Sequence, residues 1–138
     1  HFHCKDCWNE STWDFCGGNE FNNEVKQKLL DLCDKPYIKG LSILGGEPLA
    51  DENVEEIALL IHDFKCRFPN KMVYLWSGYT YETIVKDKFY AICNVDVLID
   101  GLYDYKQRDL SLKLRGSSNQ RIIDVQQSLL KDEIILKK

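Results

Sequence analysis

Apolar positions recur with two alternating periods along most of the chain. Spacings of three and four residues, which place side chains on one face of a helix, predict three helices, and short apolar runs bounded by turn residues predict three strands. In chain order these are a helix from Val25 to Cys33 stopped by Pro36, a strand over Gly40–Gly46, a helix from near Asp51 to before Pro69, a strand over Met72–Trp76, a helix from about Thr80, and a strand over Val95–Asp100. Alternating strands and helices predict a parallel sheet with right-handed crossovers, and therefore an α/β fold.

The pattern is less regular after Gly101. Leucines at every second position of Leu110–Leu114 alternate with polar residues, which predicts a half-exposed strand. A turn cluster over 116–119 precedes Ile122–Ile123, where we expect a further short strand. The sequence contains no internal repeat, low-complexity tract or linker, so we expect one domain over residues 1–138.

Composition and charge narrow the class of protein. Of the 138 residues 44% are apolar and 29% charged, which is typical of a globular domain. The net charge of −4 argues against a nucleic-acid-binding protein. The longest apolar run, Ile57–Ile61, is far shorter than the ~20 residues that span a bilayer, so we expect no membrane segment. The residues that follow His1 lack the pattern of a signal peptide, so we expect a cytoplasmic protein with reduced thiols.

Six cysteines provide the first candidate chemistry. Cys4 and Cys7 are spaced so that both thiolates can reach one zinc ion or iron–sulfur cluster, or can form a redox dithiol. No second Cys-x-x-Cys follows, so a structural zinc module would have to recruit another ligand such as Cys16. Cys33 and Cys66 fall in predicted helices, where we expect them to pack as small hydrophobic residues.

A second candidate site follows the strand over 40–46. Gly45 and Gly46 let a ligand approach the backbone because no Cβ intervenes, and Glu47 offers a negative charge to an ammonium group. A simple strand-to-helix turn explains the same residues. The aromatic residues of 74–79, after the next strand, are typical of core and rim packing. Both segments fall at carboxyl ends of predicted parallel strands, where α/β proteins place their sites.

Four blocks of the sequence, taken in order, resemble the radical S-adenosylmethionine enzymes. They are CKDCWNESTW at 4–13, GGEPL at 45–49, WSGY at 76–79 and RGSSNQR at 115–121. The first and last blocks resemble the branch that activates anaerobic (class III) ribonucleotide reductases. In the family motif Cys-x-x-x-Cys-x-x-Cys, Cys4 and Cys7 correspond to the second and third ligands, and the first falls just before His1. We therefore expect a chain truncated at its N-terminus, with the first strand and first ligand missing.

The resemblance implies a fold and two cofactors. The fold is a small, incomplete parallel (β/α) barrel of the radical S-adenosylmethionine type. Three cysteines, Cys4 and Cys7 among them, hold a [4Fe-4S] cluster, and the iron without a protein ligand is chelated by S-adenosylmethionine. Gly45, Gly46 and Glu47 then hold the methionyl amino group. The residues implied to lie against the adenine are Asp6, Cys7 and Trp8.

The implied activity is that of a glycyl-radical activase. An electron from the cluster cleaves S-adenosylmethionine to a 5′-deoxyadenosyl radical, which abstracts hydrogen from a glycine of the large subunit of the anaerobic ribonucleotide reductase. A low-potential protein such as flavodoxin is the expected electron donor. The open alternatives are an activase of another glycyl-radical enzyme and the zinc module on Cys4, Cys7 and Cys16.

Three weaker candidates remain after the resemblance is applied. Ser77 and Asp100 follow or end predicted strands, so they either touch the ribose or methionyl group or act as turn and cap residues. The block Arg115–Arg121 is either a docking surface for the reductase, a positive patch near the cofactor, or a solvated loop.

Overall fold

A computed structural model of the chain describes residues 2–7 and 9–138. Over these residues the backbone forms a four-stranded sheet in the order β1-β2-β3-β4, with helical residues in the same hydrophobic core. In chain order the elements are α1 (Asn23–Cys33), β1 (Gly40–Ile43), α2 (Val54–Arg67), β2 (Met72–Trp76), α3 (Tyr81–Ile92), β3 (Val97–Asp100), β4 (Arg121–Asp124) and α4 (Val125–Lys131), with 3₁₀ turns at Glu10–Thr12 and Tyr105–Gln107.

The first three strands are parallel and the fourth is not. β1 pairs with β2 from Gly40↔Met72 onward, and β2 pairs with β3 up to Trp76↔Ile99. These pairings confirm the α/β class. β4 runs antiparallel to β3, with Asp100 opposite Arg121, so the sheet is mostly rather than wholly parallel.

The strand expected over Leu110–Leu114 is wrong. These residues form turns and bends, Leu110 is 81% exposed, and Leu114 has a φ of 63°, which interrupts an extended chain. The free edge of β3 is occupied by β4 instead, since the predicted strand at Ile122–Ile123 does form. Alternating leucines are therefore insufficient here, because a strand also needs an edge with which to pair.

Most predicted boundaries hold to within a few residues. The strand expected over Gly40–Gly46 ends at Ile43, because the chain turns at Gly45 with a φ of 138°. The helix expected from near Asp51 begins at Val54, and the strand expected from Val95 begins at Val97. Asn22 caps α1, since its Oδ1 accepts a hydrogen bond from Val25 N in the first turn.

The core lies between the sheet and the helices that connect its strands. β3 is buried at all four positions, as expected for an inner strand, and alternate residues of β2 are buried. Phe64 of α2 and Ile84 of α3 are fully buried in the same cluster as Leu98. Within the described part of the chain, the helices are too short or too polar to cross a membrane.

We expect Phe64→Ala to lower the free energy of unfolding by about 3–5 kcal/mol, because it leaves a cavity under the sheet. Urea denaturation of the apo protein measures the change. Leu130→Ala, at a residue that is 78% exposed, is the control and should stay within about 0.5 kcal/mol of the parent. Equal effects of the two substitutions would contradict the placement of Phe64 in the core.

Candidate functional site

The carboxyl ends of β1, β2 and β3 open onto one cavity of about 250 Å³. The residues that line it fall in four segments, at positions 2–13 (Trp8 apart), 44–47, 76–78 and 101–120. Three of these segments come directly after a parallel strand. The cavity therefore occupies the position at which α/β sheets bind ligands.

The described residues of 2–13, here called the thiol loop, carry both expected metal ligands. Cys4 and Cys7 line the cavity and are partly buried. The backbone N–H of Asn9 donates to Cys7 Sγ at 3.3 Å. Burial and the neighbouring Cys7 raise the pKa of the Cys4 thiol, and hydrogen bonds from backbone amides, including that of Tyr103, act against them. A bound metal supplies the positive charge that a thiolate needs in such a site.

Ring contacts anchor the thiol loop to the rest of the protein. Phe2 meets Tyr79 edge-on with 5.0 Å between ring centroids, and Lys5 Nζ lies 4.4 Å from the ring centroid of Tyr105. Within the loop, His3 stacks on Trp13 at 4.7 Å. The loop is thereby held against Tyr79 in the segment after β2 and against Tyr105 in the segment after β3.

Two non-glycine residues of the thiol loop have left-handed backbone conformations. The φ angles are 48° at His3 and 58° at Asp6, and both residues line the cavity. Such conformations cost of order 1 kcal/mol each and are found where the surrounding structure imposes them, often at functional sites. Of the residues expected against the adenine, Asp6 and Cys7 are thus at the cavity, and Trp8 lies outside the described residues.

The two glycines of the second motif have different surroundings. A Cβ on Gly45 would point into open space, with nothing within 4 Å, so a ligand in the cavity can approach this backbone. A Cβ on Gly46 would lie 2.4 Å from the carbonyl oxygen of Thr12 in the thiol loop. Gly45 therefore leaves room for a ligand, and Gly46 leaves room for the thiol loop.

Glu47 joins the ends of β1 and β2 through its buried carboxylate. Oε1 accepts hydrogen bonds from Leu49 N and Ser77 Oγ, both at 2.9 Å, and Oε2 accepts one from Gly78 N at 2.8 Å. The side chain is 2% exposed. Burial raises its pKa, and the hydrogen bonds from Gly78, Leu49 and Ser77 partly oppose the shift. Within the described residues it forms no ion pair.

The cavity fits the two groups that the sequence implies. Cys4 and Cys7 offer the sulfur ligands that iron–sulfur clusters use. A carboxylate has about four acceptor positions. Donors among the described residues occupy three of them at Glu47, which leaves one on Oε2 for an ammonium donor. The open backbone of Gly45 adds space beside that position. Cys16 is not among the residues that line this cavity.

Cys16 is exposed and absent from the cavity lining. Its backbone N–H bonds Asp14 in a local turn, and among the described residues no cluster of three or more potential metal ligands forms. The structure thus does not unite Cys4, Cys7 and Cys16 as the zinc alternative requires. Cys33 is buried as expected, but Cys66 is exposed beside His62, because it lies on the outer face of α2.

Ser77 and Asp100 have partners within the protein. Ser77 is buried at the cavity wall, where its hydroxyl donates to Glu47 and accepts from Tyr79 N. Asp100 is buried behind the wall, where it accepts hydrogen bonds from Tyr81 N at the start of α3 and from Arg121. These contacts favour the turn and cap roles.

The block Arg115–Arg121 is a folded wall of the cavity rather than a solvated loop. Gln120 Oε1 accepts from the backbone N–H groups of Gly116 and Ser117, and Gln120 Nε2 donates to Gly101 O. Arg121 pairs with Asp100 and with Glu82 of α3, and the pKa of Glu82 falls to about 2 beside it. These bonds hold the segment against the end of β3.

The segment after β3 contains residues that the sequence analysis missed. Gly101, Leu102 and Tyr103 line the cavity, and Tyr103 Oη is buried with no hydrogen-bond partner among the described residues. The position of Gly101 at the carboxyl end of a third parallel strand was the signal that could have identified them.

Sequence comparisons connect this geometry with known proteins. Residues 1–123 match the family described as a 4Fe-4S single cluster domain. An anaerobic ribonucleoside-triphosphate reductase-activating protein of Enterobacteria phage T4 is 40% identical over 119 residues, which cover 86% of this chain and 74% of the phage protein. The chain belongs to this family of activating proteins.

Bacterial activating proteins of the same name give similar matches. The protein of Vibrio cholerae is 36% identical over 121 residues, covering 86% of this chain and 78% of its own. That of Escherichia coli K12 is 32% identical over 119 residues, covering 85% and 77%. No solved structure matches the chain significantly. Family membership assigns an iron–sulfur domain to the chain, and the cavity shows where its thiols lie.

We expect Glu47→Gln to change how stability depends on pH. Burial raises the pKa of Glu47 above 4.5, so the folded protein binds this proton more tightly than the unfolded chain. The free energy of unfolding of the parent should therefore fall relative to that of the variant as pH rises from about 4.5 through the raised pKa.

Urea unfolding of both apo proteins across this range measures the difference. Glu52→Gln, at an exposed carboxylate, is the matched control and should leave the parent's pH profile unchanged. A parent that gained stability over the Glu47→Gln variant as pH rose would show that the hydrogen bonds outweigh burial.

Proposed function

We propose that this protein is a radical S-adenosylmethionine activase that installs a glycyl radical in an anaerobic ribonucleoside-triphosphate reductase. The observation that carries the proposal is the shared cavity. Cys4 and Cys7 face the same space as the open backbone of Gly45 and the carboxylate of Glu47, in a chain of the activating-protein family.

When bound, the reduced [4Fe-4S] cluster would supply the electron that breaks the sulfonium C5′–S bond of S-adenosylmethionine. This would release methionine and give the 5′-deoxyadenosyl radical that removes a hydrogen atom from a glycine of the reductase. Cys4 and Cys7 would hold the cluster through their thiolates. Glu47 accepts a hydrogen bond from the methionyl ammonium, and Gly45 gives that group access to the backbone. Asp6 and Cys7 would supply the backbone beside the adenine.

We further propose that the sheet is part of an incomplete barrel of the radical S-adenosylmethionine type. Within the described residues β1 is an edge strand, so the sheet is open on that side. The opposite edge is covered by the antiparallel β4. An open barrel gives the glycine-bearing segment of the reductase access to the cavity. A low-potential cytoplasmic protein such as flavodoxin would supply the electron.

We expect a glycyl-radical signal in electron paramagnetic resonance when the full-length protein, including whatever its gene encodes before His1, is loaded anaerobically with iron and sulfide. The mixture also contains S-adenosylmethionine, a low-potential reductant and the anaerobic reductase. Replacing that reductase with another glycyl-radical enzyme tests the alternative target and should give no signal. A verified cluster with a competent reductase and no radical would refute the proposed function.

Cys4→Ser and Cys7→Ser should each lower the iron content of the reconstituted protein to below about a tenth of the parent value, because each removes a thiolate ligand. Iron and sulfide analysis after anaerobic gel filtration measures the loss. Cys66→Ser, on the exposed face of α2, is the matched control and should load normally. Stoichiometric zinc without sulfide in the parent would instead favour a structural metal module.

A further inference from the structure

Gly78 contacts two separate parts of the cavity wall. Its backbone N–H donates to Glu47 Oε2 at 2.8 Å. Its Cα faces the ring of Phe2 so closely that a Cβ at this position would lie 2.6 Å from ring carbon Cε2. Gly78 thus contacts both the buried carboxylate of Glu47 and the thiol loop. The loop residue that it contacts, Phe2, lies two positions before Cys4.

Gly46 makes a comparable contact at the other end of the thiol loop. A Cβ there would lie 2.4 Å from the carbonyl oxygen of Thr12. The loop that carries both thiols is therefore seated on two glycines, one after β1 and one after β2. Phe2, which precedes Cys4 in the loop, packs on Gly78. Thr12, which follows Cys7, packs on Gly46.

The need for glycine at position 78 arises from space and not from backbone conformation. The glycines with positive φ are Gly18, Gly45 and Gly101, and Gly78 is not among them. An alanine can therefore adopt the backbone conformation of Gly78. What its methyl group would meet is the ring of Phe2, a side chain that can move and take the thiol loop with it.

We propose that Gly78 and Phe2 are positioning residues that fix the distance between the cluster ligands and the Glu47 carboxylate. This inference rests on the proposed function, in which one molecule of S-adenosylmethionine must contact the cluster and Glu47 together. A displacement of about 1 Å between two such groups weakens a site that depends on both. The contact between the Cα of Gly78 and the ring of Phe2 keeps the distance between the cluster ligands and the Glu47 carboxylate constant.

The test is Gly78→Ala in the full-length protein, measured first without cofactors. Alkylation of Cys4 and Cys7 in the apo protein should accelerate about three- to tenfold, the range expected for the loss of one aromatic contact. The midpoint of thermal unfolding should shift by less than about 4 °C, because the clash involves a loop side chain and not the sheet.

The loaded protein provides a second readout. Affinity for S-adenosylmethionine should fall about tenfold, and the change that S-adenosylmethionine causes in the paramagnetic resonance spectrum of the reduced cluster should weaken. Adding Phe2→Leu to Gly78→Ala removes two of the three ring atoms that the methyl group meets, Cε2 and Cζ, and replaces the flat ring with a smaller side chain. It should therefore recover at least about threefold of the affinity. Gly17→Ala, whose Cβ would meet Asp14 and not Phe2, is the matched control and should resemble the parent.

The outcomes separate this inference from the proposed function. A parent protein that loads no cluster, or whose cluster does not respond to S-adenosylmethionine, refutes the proposed function. The inference is overturned if the cluster of the parent responds to S-adenosylmethionine and Gly78→Ala has the same rate of thiol alkylation and the same affinity for S-adenosylmethionine as the parent. A defect of Gly78→Ala that Phe2→Leu does not relieve, including failure to fold, also overturns the inference. The reason is that the atoms nearest to the added methyl group are all in the Phe2 ring.

Discussion

The hydrogen-bonded carboxylate of Glu47 is the contact on which the cavity depends. The pairing of β1 with β2 ends at Ile43↔Leu75, and beyond it the two segments are no longer joined by sheet hydrogen bonds. Glu47 links them again by accepting bonds from Ser77 and Gly78 while also accepting one from Leu49. Burying a carboxylate is costly unless its acceptors are satisfied, and three donors reduce that cost while leaving one acceptor position.

The placement of the thiol loop follows from this link. Because Glu47 fixes the backbone at Gly78, the surface that receives Phe2 has a defined position. Gly46, the residue before Glu47, receives Thr12 in the same way. The loop therefore docks on two points whose separation the carboxylate sets. Contacts of Lys5 with Tyr105 hold the loop on its remaining side.

The wall opposite Glu47 is stabilised independently by side chains of its own segment. Gln120 uses its amide oxygen and nitrogen to close the turn at Gly116 and to hold Gly101 beside it. Arg121 adds ion pairs to Asp100, at the end of β3, and to Glu82, in the first turn of α3. The cavity thus has two hydrogen-bonded walls, formed by different parts of the chain, and the thiol loop contacts both.

The sequence by itself determined the α/β class and the parallel direction of the first three strands, and it singled out Cys4 and Cys7 as candidate ligands, because periodicity and motif spacing are local properties. It failed at Leu110–Leu114, where the alternation of leucines was present but the edge of β3 was occupied by another strand. Only the tertiary structure decided that Gly46 and Gly78 seat the thiol loop and that Glu47 joins two strand ends. These roles depend on atoms about thirty or more residues apart in the chain, and local spacing carries no information about such distances.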